Sequence, residues 1–295
     1  MTLPDEVRSF CEQIAASARS VTIDRDALDR LDPGPAPQPD AERHLLDGPD
    51  ELVASYFLTL DTINFGSGWF GTLNKRVGHD SRPVSGYATV SWSLADQFRA
   101  DGAWSNDALR AMRTETIAGV LGQRADHELM ALFAQALRDL GRFLGPRSAL
   151  DLVAEARGSA AALADALADG MALYADRGFY KRAQIVPSNL ALAGVADFAD
   201  LDRLTIFADN LVPHVLRRAG VLVYDPRLAA HIDAGRRLRP GPQEREIRAC
   251  AVHACELLSA RLQIAPRDLD HRLWTRGQDP AIKAHPRHRC RTTAY

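Results

Sequence analysis

Residues Phe198–Asp225 read FADLDRLTIFADNLVPHVLRRAGVLVYD. The first dozen residues hold three carboxylates and a hydroxyl (Asp200, Asp202, Asp209 and Thr205), set among Phe198, Leu201, Leu204, Ile206 and Phe207. Leu201, Leu204 and Ala208 recur at helical spacing. Pro213 follows Asp209 by four residues, where it opens a second helix or kinks the first. Val212, Val215 and Leu216 continue an apolar face. The stretch predicts a short helix, a turn near Asp209 and a second helix. Asp209 then lies at or near a helix N-terminus, among apolar groups. A carboxylate so placed is either a cap or a reactive group. The local residues alone favour the cap.

The same periodicity extends outward. Asp50–Phe65 is the most hydrophobic helix, with Leu52, Val53, Tyr56, Phe57, Leu60 and Ile63 around most of its circumference, which predicts burial. Glu244–Leu262 predicts a long helix whose buried face is Ile247, Ala251, Ala254, Cys255 and Leu258. Further helices are expected over Pro4–Ser20, Asn106–Leu121, His127–Leu144 and the alanine-rich Ser148–Met171, which Gly158 can break. Gly71–Gly102 fits a small helical insertion or a brief hairpin. Arg227–Gly241 reads as an exposed connector. Sustained strand alternation is almost absent, so the expected class is all-α: a multi-helix globular fold with at most a minor β hairpin. One domain over residues 1–295 is expected. Within it, residues 31–40 form a Pro-rich extended arm, since DPGPAPQPD carries four prolines in nine residues.

Composition narrows the function. The 295 residues are 46% hydrophobic, enough for a substantial core, and the formal net charge is −2. A protein living on nucleic-acid backbone draws its affinity from basic surface, and none is evident here. The four cysteines form no CxxC pair, which argues against a zinc ribbon or a thioredoxin motif. Cys250, His253 and Glu256 resemble a ligand set only superficially, and no metal is expected. No apolar run approaches ~20 residues, and no signal-peptide pattern is visible. A protein of the cytoplasm, with no membrane partner, is the expectation.

Several polar residues stand in apolar settings. Phe57, Asp61 and Asn64 share one face of the buried helix. A buried carboxylate and amide need partners or cost about 1–3 kcal/mol each. They either satisfy a neighbouring helix or line a pocket for a polar base. Asn64, Phe65 and Trp69 sit at that helix's end beside Gly66 and Gly68, where backbone can approach a ligand closely. Lys181 and Arg182 read either as a solvated helix end or as cations facing a phosphate or sugar. His44 reads as a structural group or a ligand.

Six stretches together resemble the queuosine salvage family, queuosine 5′-phosphate N-glycosylase/hydrolases that release the base queuine from its nucleotide. They are YFLTLDTINFGSGW (Tyr56–Trp69), FYKRAQI (Phe179–Ile185), LTIFADNLVPHVLRRAGVLVYD (Leu204–Asp225), EREIRACAVHACELL (Glu244–Leu258), LDHRLW (Leu269–Trp274) and HRCRTTAY (His288–Tyr295). They span nearly the whole chain in the family's order. The family's core motif resembles helix-hairpin-helix base-excision glycosylases, so the resemblance implies a glycosylase-like helical core. It also implies a catalytic role for Asp209, with Lys181 beside the substrate, and a place in the binding pocket for His44, Asn64, Phe65 and Trp69. It suggests that the basic tail docks near the site.

The chemistry implied has its own demands. Breaking an N-glycosidic bond passes through an oxocarbenium-like sugar, which a positioned carboxylate stabilises or attacks. Queuine is a 7-deazaguanine and lacks the ring nitrogen that purine hydrolases usually protonate. Its guanine-like edge carries adjacent N–H donors that suit a carboxylate such as Asp200, and its face suits Phe198 or Phe65. Asp61 belongs to the same candidate pocket. The expected ligand is therefore a small molecule, queuosine 5′-phosphate or queuosine, bound by a monomer without cofactor or direct nucleic-acid contact. Two alternatives remain open: a base-excision glycosylase of helix-hairpin-helix type, and a non-catalytic nucleoside-binding helical module with Asp209 as a cap.

Overall fold

A computed structural model describes residues 1–295 and contains fifteen α-helices, short 3-10 turns and one two-stranded sheet. The all-α expectation holds. The strands Val21–Ile23 and Leu222–Tyr224 pair antiparallel, with Val21 opposite Tyr224 and Ile23 opposite Leu222. They are no hairpin, because about two hundred residues of chain separate them. The pairing ties the N-terminal segment to the end of the stretch around Asp209. Between Gly71 and Gly102 both readings are partly realised. Val77 and Pro83 form an isolated antiparallel bridge, and Gly86–Asp101 is a helix capped by the Ser85 hydroxyl.

One continuous cluster of 71 buried residues runs from Leu3 to Leu273, so both ends of the chain contribute to the same core. The helices Asp50–Thr62 and Pro242–Leu262 bury most of their apolar residues in it. Leu3–Ser17 packs along the second of these, with Val7 and Cys11 inward. The face expected for the long helix is the buried one: Ile247, Ala251, Ala254, Cys255 and Leu258 are each fully enclosed. The alanine-rich segment is two helices, Ala149–Glu155 and Ala160–Gly170, divided where Gly158 adopts φ +72. A left-handed residue ends a helix at little cost when it is glycine.

The helix expected over Asn106–Leu121 is two, Asn106–Arg110 and Thr114–Val120, and two other local expectations change. The short helix before Asp209 is only a 3-10 turn, Leu201–Arg203, followed by extended chain from Leu204. Its backbone donors are used elsewhere: Thr205 N–H goes to Gln184 Oε1 at 2.9 Å and Phe207 N–H to Asp270 Oδ1 at 2.9 Å. Side chains from other helices thus compete successfully with the i→i−4 pattern. Second, the connector Arg227–Gly241 begins with a helix, Pro226–Asp233, because Asp225 accepts from two of its N–H groups and Pro226 starts it. The Pro-rich arm is extended, as expected, and is held in place. Arg276 and Arg272 donate to the carbonyls of Asp32 (2.6 Å) and Gly34 (2.9 Å), holding the arm against the Pro266–Arg276 helix.

Candidate active site

The arm, the loop before Tyr87 and the stretch around Asp209 enclose a cavity of about 490 Å³. That volume falls in the range of small-molecule sites. Asp209 enters it from the bend just before the Leu211–Arg218 helix, whose N-cap residue is Asn210. Its Oδ1 accepts from Leu211 N–H at 2.6 Å and Val212 N–H at 3.3 Å, so the cap expected from sequence is real. Capping occupies one oxygen only. Oδ2 has no hydrogen bond within the protein, so the same carboxylate is both cap and free anion. The N-terminal end of the helix dipole favours its charge.

The loop that carries Asp209 is fixed by side chains rather than by regular structure. Beyond Gln184 and Asp270, Arg248 donates from Nε to Ala208 O at 2.9 Å. The Arg248 guanidinium is itself paired with Asp176 and lies over the Phe179 ring at 3.9 Å. Asn210 Nδ2 donates to His288 O at 3.3 Å. Backbone groups that would otherwise be orphaned thereby hold the catalytic candidate in one position.

Lys181 reaches the cavity from the first turn of the Lys181–Leu192 helix, only 5% exposed, and its Nζ donates to Asn64 O at 3.0 Å. The preceding Tyr180 sits at φ +49, an uncommon conformation for a bulky residue and one found at functional sites. Burial pushes the Lys181 ammonium down to about 8, against the pull of the Asp209 and Asp61 charges. Its neighbour Arg182 is buried further in and spent on structure. It donates to the carbonyls of Thr62, Leu173 and Thr293 and stacks over Phe65 at 4.7 Å.

Asp61 is wholly enclosed and stands one layer behind the cavity. Asn189 Nδ2 lies 3.0 and 2.9 Å from its two oxygens, and Asn64 Nδ2 lies 3.4 Å from Oδ1. Burial raises the carboxyl to about 6, resisted by the Asn189 hydrogen bond and the Lys181 charge. Asn64 and Asn189 line the cavity, so Asp61 fixes how they present themselves to it. His44 lines the opposite wall. Its Nδ1 is 3.1 Å from Asp40 O, a carbonyl that only accepts, so Nδ1 carries the proton and Nε2 accepts from Tyr87 Oη at 3.0 Å. Phe65 forms part of the floor, edge-on to Phe133 at 5.1 Å.

Besides Asp61, which stands behind the cavity wall, the structure keeps three more of the expected residues away from the cavity. Asp200 caps another helix: Ala160 N–H and Ala161 N–H approach its oxygens at 2.6 and 3.2 Å, and Ser159 Oγ at 2.7 Å. Phe198 is buried in the core. Trp69 packs under Arg291 and gives its Nε1–H to Glu128 at 2.8 Å. The expectation that an aromatic and a carboxylate line the site is met instead by Phe207, Trp274 and Asp270.

Asp270 is 4% exposed and lines the cavity beside Asp209 and Lys181. Its signal in the sequence was the LDHRLW pattern, where Asp270 and Trp274 share a helix face one turn apart. Nothing local distinguished it from other acidic helix residues. Arg287 and Arg289 of the basic tail line the cavity, as the resemblance implied for that tail. Lys75 and Lys283 line it too and were not anticipated, and none of these four cations is in a salt bridge. Arg287 Nε is buried without a hydrogen-bond acceptor. No three His, Cys, Asp or Glu side chains converge as a metal-ligand set, and no helix is long and apolar enough to cross a membrane.

Comparison with known proteins adds an independent finding. Residues 44–295 match the family model described as queuosine salvage protein. A protein of Sphaerobacter thermophilus named queuosine 5′-phosphate N-glycosylase/hydrolase is 32% identical, over 98% of this chain and 97% of its own length. Proteins of the same name from Mus musculus (27% identical, 99% of each chain) and Dictyostelium discoideum (28% identical, 83% of this chain and 79% of its own) are also similar.

Proposed function

The chain belongs to the queuosine salvage protein family, and from that premise we propose that it hydrolyses the N-glycosidic bond of queuosine 5′-phosphate, yielding queuine and ribose 5-phosphate. The observation that carries this reading is Asp209. One carboxylate oxygen is anchored by two helix N–H groups, and the other is left free in the cavity. A fixed negative charge beside the anomeric carbon stabilises the cationic sugar as the base departs, and it needs no reorganisation to do so.

The rest of the cavity suits the rest of the substrate. Phe207, Trp274 and Tyr87 offer ring faces and edges to a flat base. Asn64 and Asn189, oriented by Asp61, offer amide donors and acceptors to its polar edge. The unpaired rim of Lys283, Arg287 and Arg289 supplies the charge that a 5′-phosphate requires. Lys181 tempers the acidic end of the cavity, where Asp209 and Asp270 meet. His44 with Tyr87 and the Pro-rich arm closes the opening over the base.

The test is product analysis. The protein is incubated with queuosine 5′-phosphate, with guanosine monophosphate and with duplex DNA, and released base is resolved by chromatography. Free queuine from the first, much faster than guanine from the second, is expected. Equal rates on both nucleotides would defeat the base-pocket assignment, and base release from DNA alone would favour an excision glycosylase.

A further inference from the structure

We propose that Asp270 is the general acid that delivers a proton to the departing base. The proposal rests on the hydrolase reading above and supplies what that reading lacks, a proton source for a leaving group with no N7.

The geometry is specific. Asp270 projects from the Pro266–Arg276 helix into the cavity, and Phe207 N–H holds its Oδ1 at 2.9 Å. Oδ2 makes no hydrogen bond within the protein. Phe207 is two residues from Asp209, so the loop that positions one carboxylate also grips the other. Burial and then the Asp209 charge hold the Asp270 carboxyl well above the usual carboxylate range, against the Phe207 N–H and the Lys181 cation. Two carboxylates in one cavity with opposed tasks are the pattern of an acid beside a charged stabiliser. The proton of Asp270 belongs on Oδ2, because Oδ1 is already an acceptor.

Three neighbouring groups are less suited to the task. Tyr87 directs its hydroxyl to His44. His271 is pushed down to about 4 by burial and carries no charge at neutral pH. Lys181 Nζ donates a hydrogen bond to Asn64 O and is the counter-charge that both carboxylates share.

The step balances. The C1′–N9 bond breaks and its electron pair passes to the base. The Asp270 proton moves from Oδ2 to a ring nitrogen of that base, leaving a carboxylate beside Lys181. A water oxygen bonds to C1′ and its proton is released to solvent, from which Asp270 is reprotonated. Asp209 neither gives nor takes a proton in this step. One water is consumed for each queuine released.

Two substrates separate this role from a structural one. Queuosine 5′-phosphate has a base that must be protonated. A 4-nitrophenyl riboside 5-phosphate has a leaving group that departs as a stable anion. Asp270→Asn keeps the Oδ1 acceptor and the volume while removing the acid. It should lose on the order of 10²–10⁴-fold on queuosine 5′-phosphate and stay close to wild type on the nitrophenyl substrate, whereas Asp209→Asn loses both. Equal losses on both substrates, or none on either, would overturn the assignment. A wild-type protein that releases no queuine would overturn the hydrolase reading itself. If Asp270→Asn folds poorly, the wild-type protein gives the answer. Single-turnover queuine release should be slower in deuterium oxide, and identical rates in the two solvents would overturn proton delivery in the bond-breaking step.

Discussion

Lys181 Nζ donates to the carbonyl oxygen of Asn64 at 3.0 Å, tying the first turn of one helix to the residue that follows another. The contact places an ammonium at the one end of the cavity where two carboxylates stand, Asp209 and Asp270. It also removes that ammonium from water, and this is why its proton is held less tightly than in a free lysine.

The first prediction concerns pH. If the Lys181 cation supports turnover, kcat falls as pH rises through about 8, the point to which burial has moved it. Stability should respond in the opposite sense. Above pH 8 the native state sheds the Lys181 proton while the unfolded chain, near the ordinary lysine value of 10.5, still holds it. The unfolded state then binds more protons, so this group's contribution to stability increases between those two values. Paired pH profiles of single-turnover release and denaturant unfolding, compared between wild type and Lys181→Met, test both signs. An unchanged alkaline limb in the variant would remove Lys181 from catalysis.

Asn64→Leu keeps the carbonyl that Lys181 uses and approximates the volume. It deletes the amide that faces the cavity and bonds Asp61. Substrate affinity should fall by about 1–3 kcal/mol with the fold retained. Calorimetry with queuosine 5′-phosphate on the Asp209→Asn background avoids turnover during the titration. Unaltered affinity would leave Asn64 a structural partner of Asp61 alone.

Asp209→Asn should abolish queuine release and leave binding and melting temperature close to wild type. The amide oxygen can still accept from Leu211 and Val212 N–H, and Asn caps a helix about as well as Asp. What disappears is the charge, and losing preorganised electrostatics of this kind costs on the order of 10²–10³ in rate or more. Single-turnover release measured beside the dissociation constant decides it. Near-wild-type release would show that the carboxylate is only a cap.

Arg287→Ala should weaken binding of queuosine 5′-phosphate by about 1.5–3 kcal/mol, the range for hydrogen bonds to charged groups. Binding of unphosphorylated queuosine should hardly change. The contrast follows from a guanidinium whose Nε has no protein acceptor although it is buried at the cavity rim. Equal losses for both ligands would move the phosphate to another cation.

Some of this was decided along the chain itself. Apolar spacing over Asp50–Phe65 and Glu244–Leu262 determined buried helices, because a periodic stripe must be covered whatever covers it. The Asp209 cap was also legible, since capping is settled within three residues: a short acceptor, a helix start and a proline in the first turn. The six ordered motifs carried the family. Other assignments depended on partners far away in sequence. Lys181 and Arg182 are adjacent cations with identical prospects until the fold places Asn64 before one, and Thr62, Leu173 and Thr293 around the other. Asp200 and Asp270 both stand beside leucines and offer the same carboxylate. Asp200 meets the open N–H groups of a helix beginning forty residues earlier, whereas Asp270 meets a single N–H at Phe207 and faces the cavity. A carboxylate takes whichever unpaired donors are nearest in space. Only the tertiary structure brings those donors close, so only it decided which acid is spent on capping and which faces the cavity.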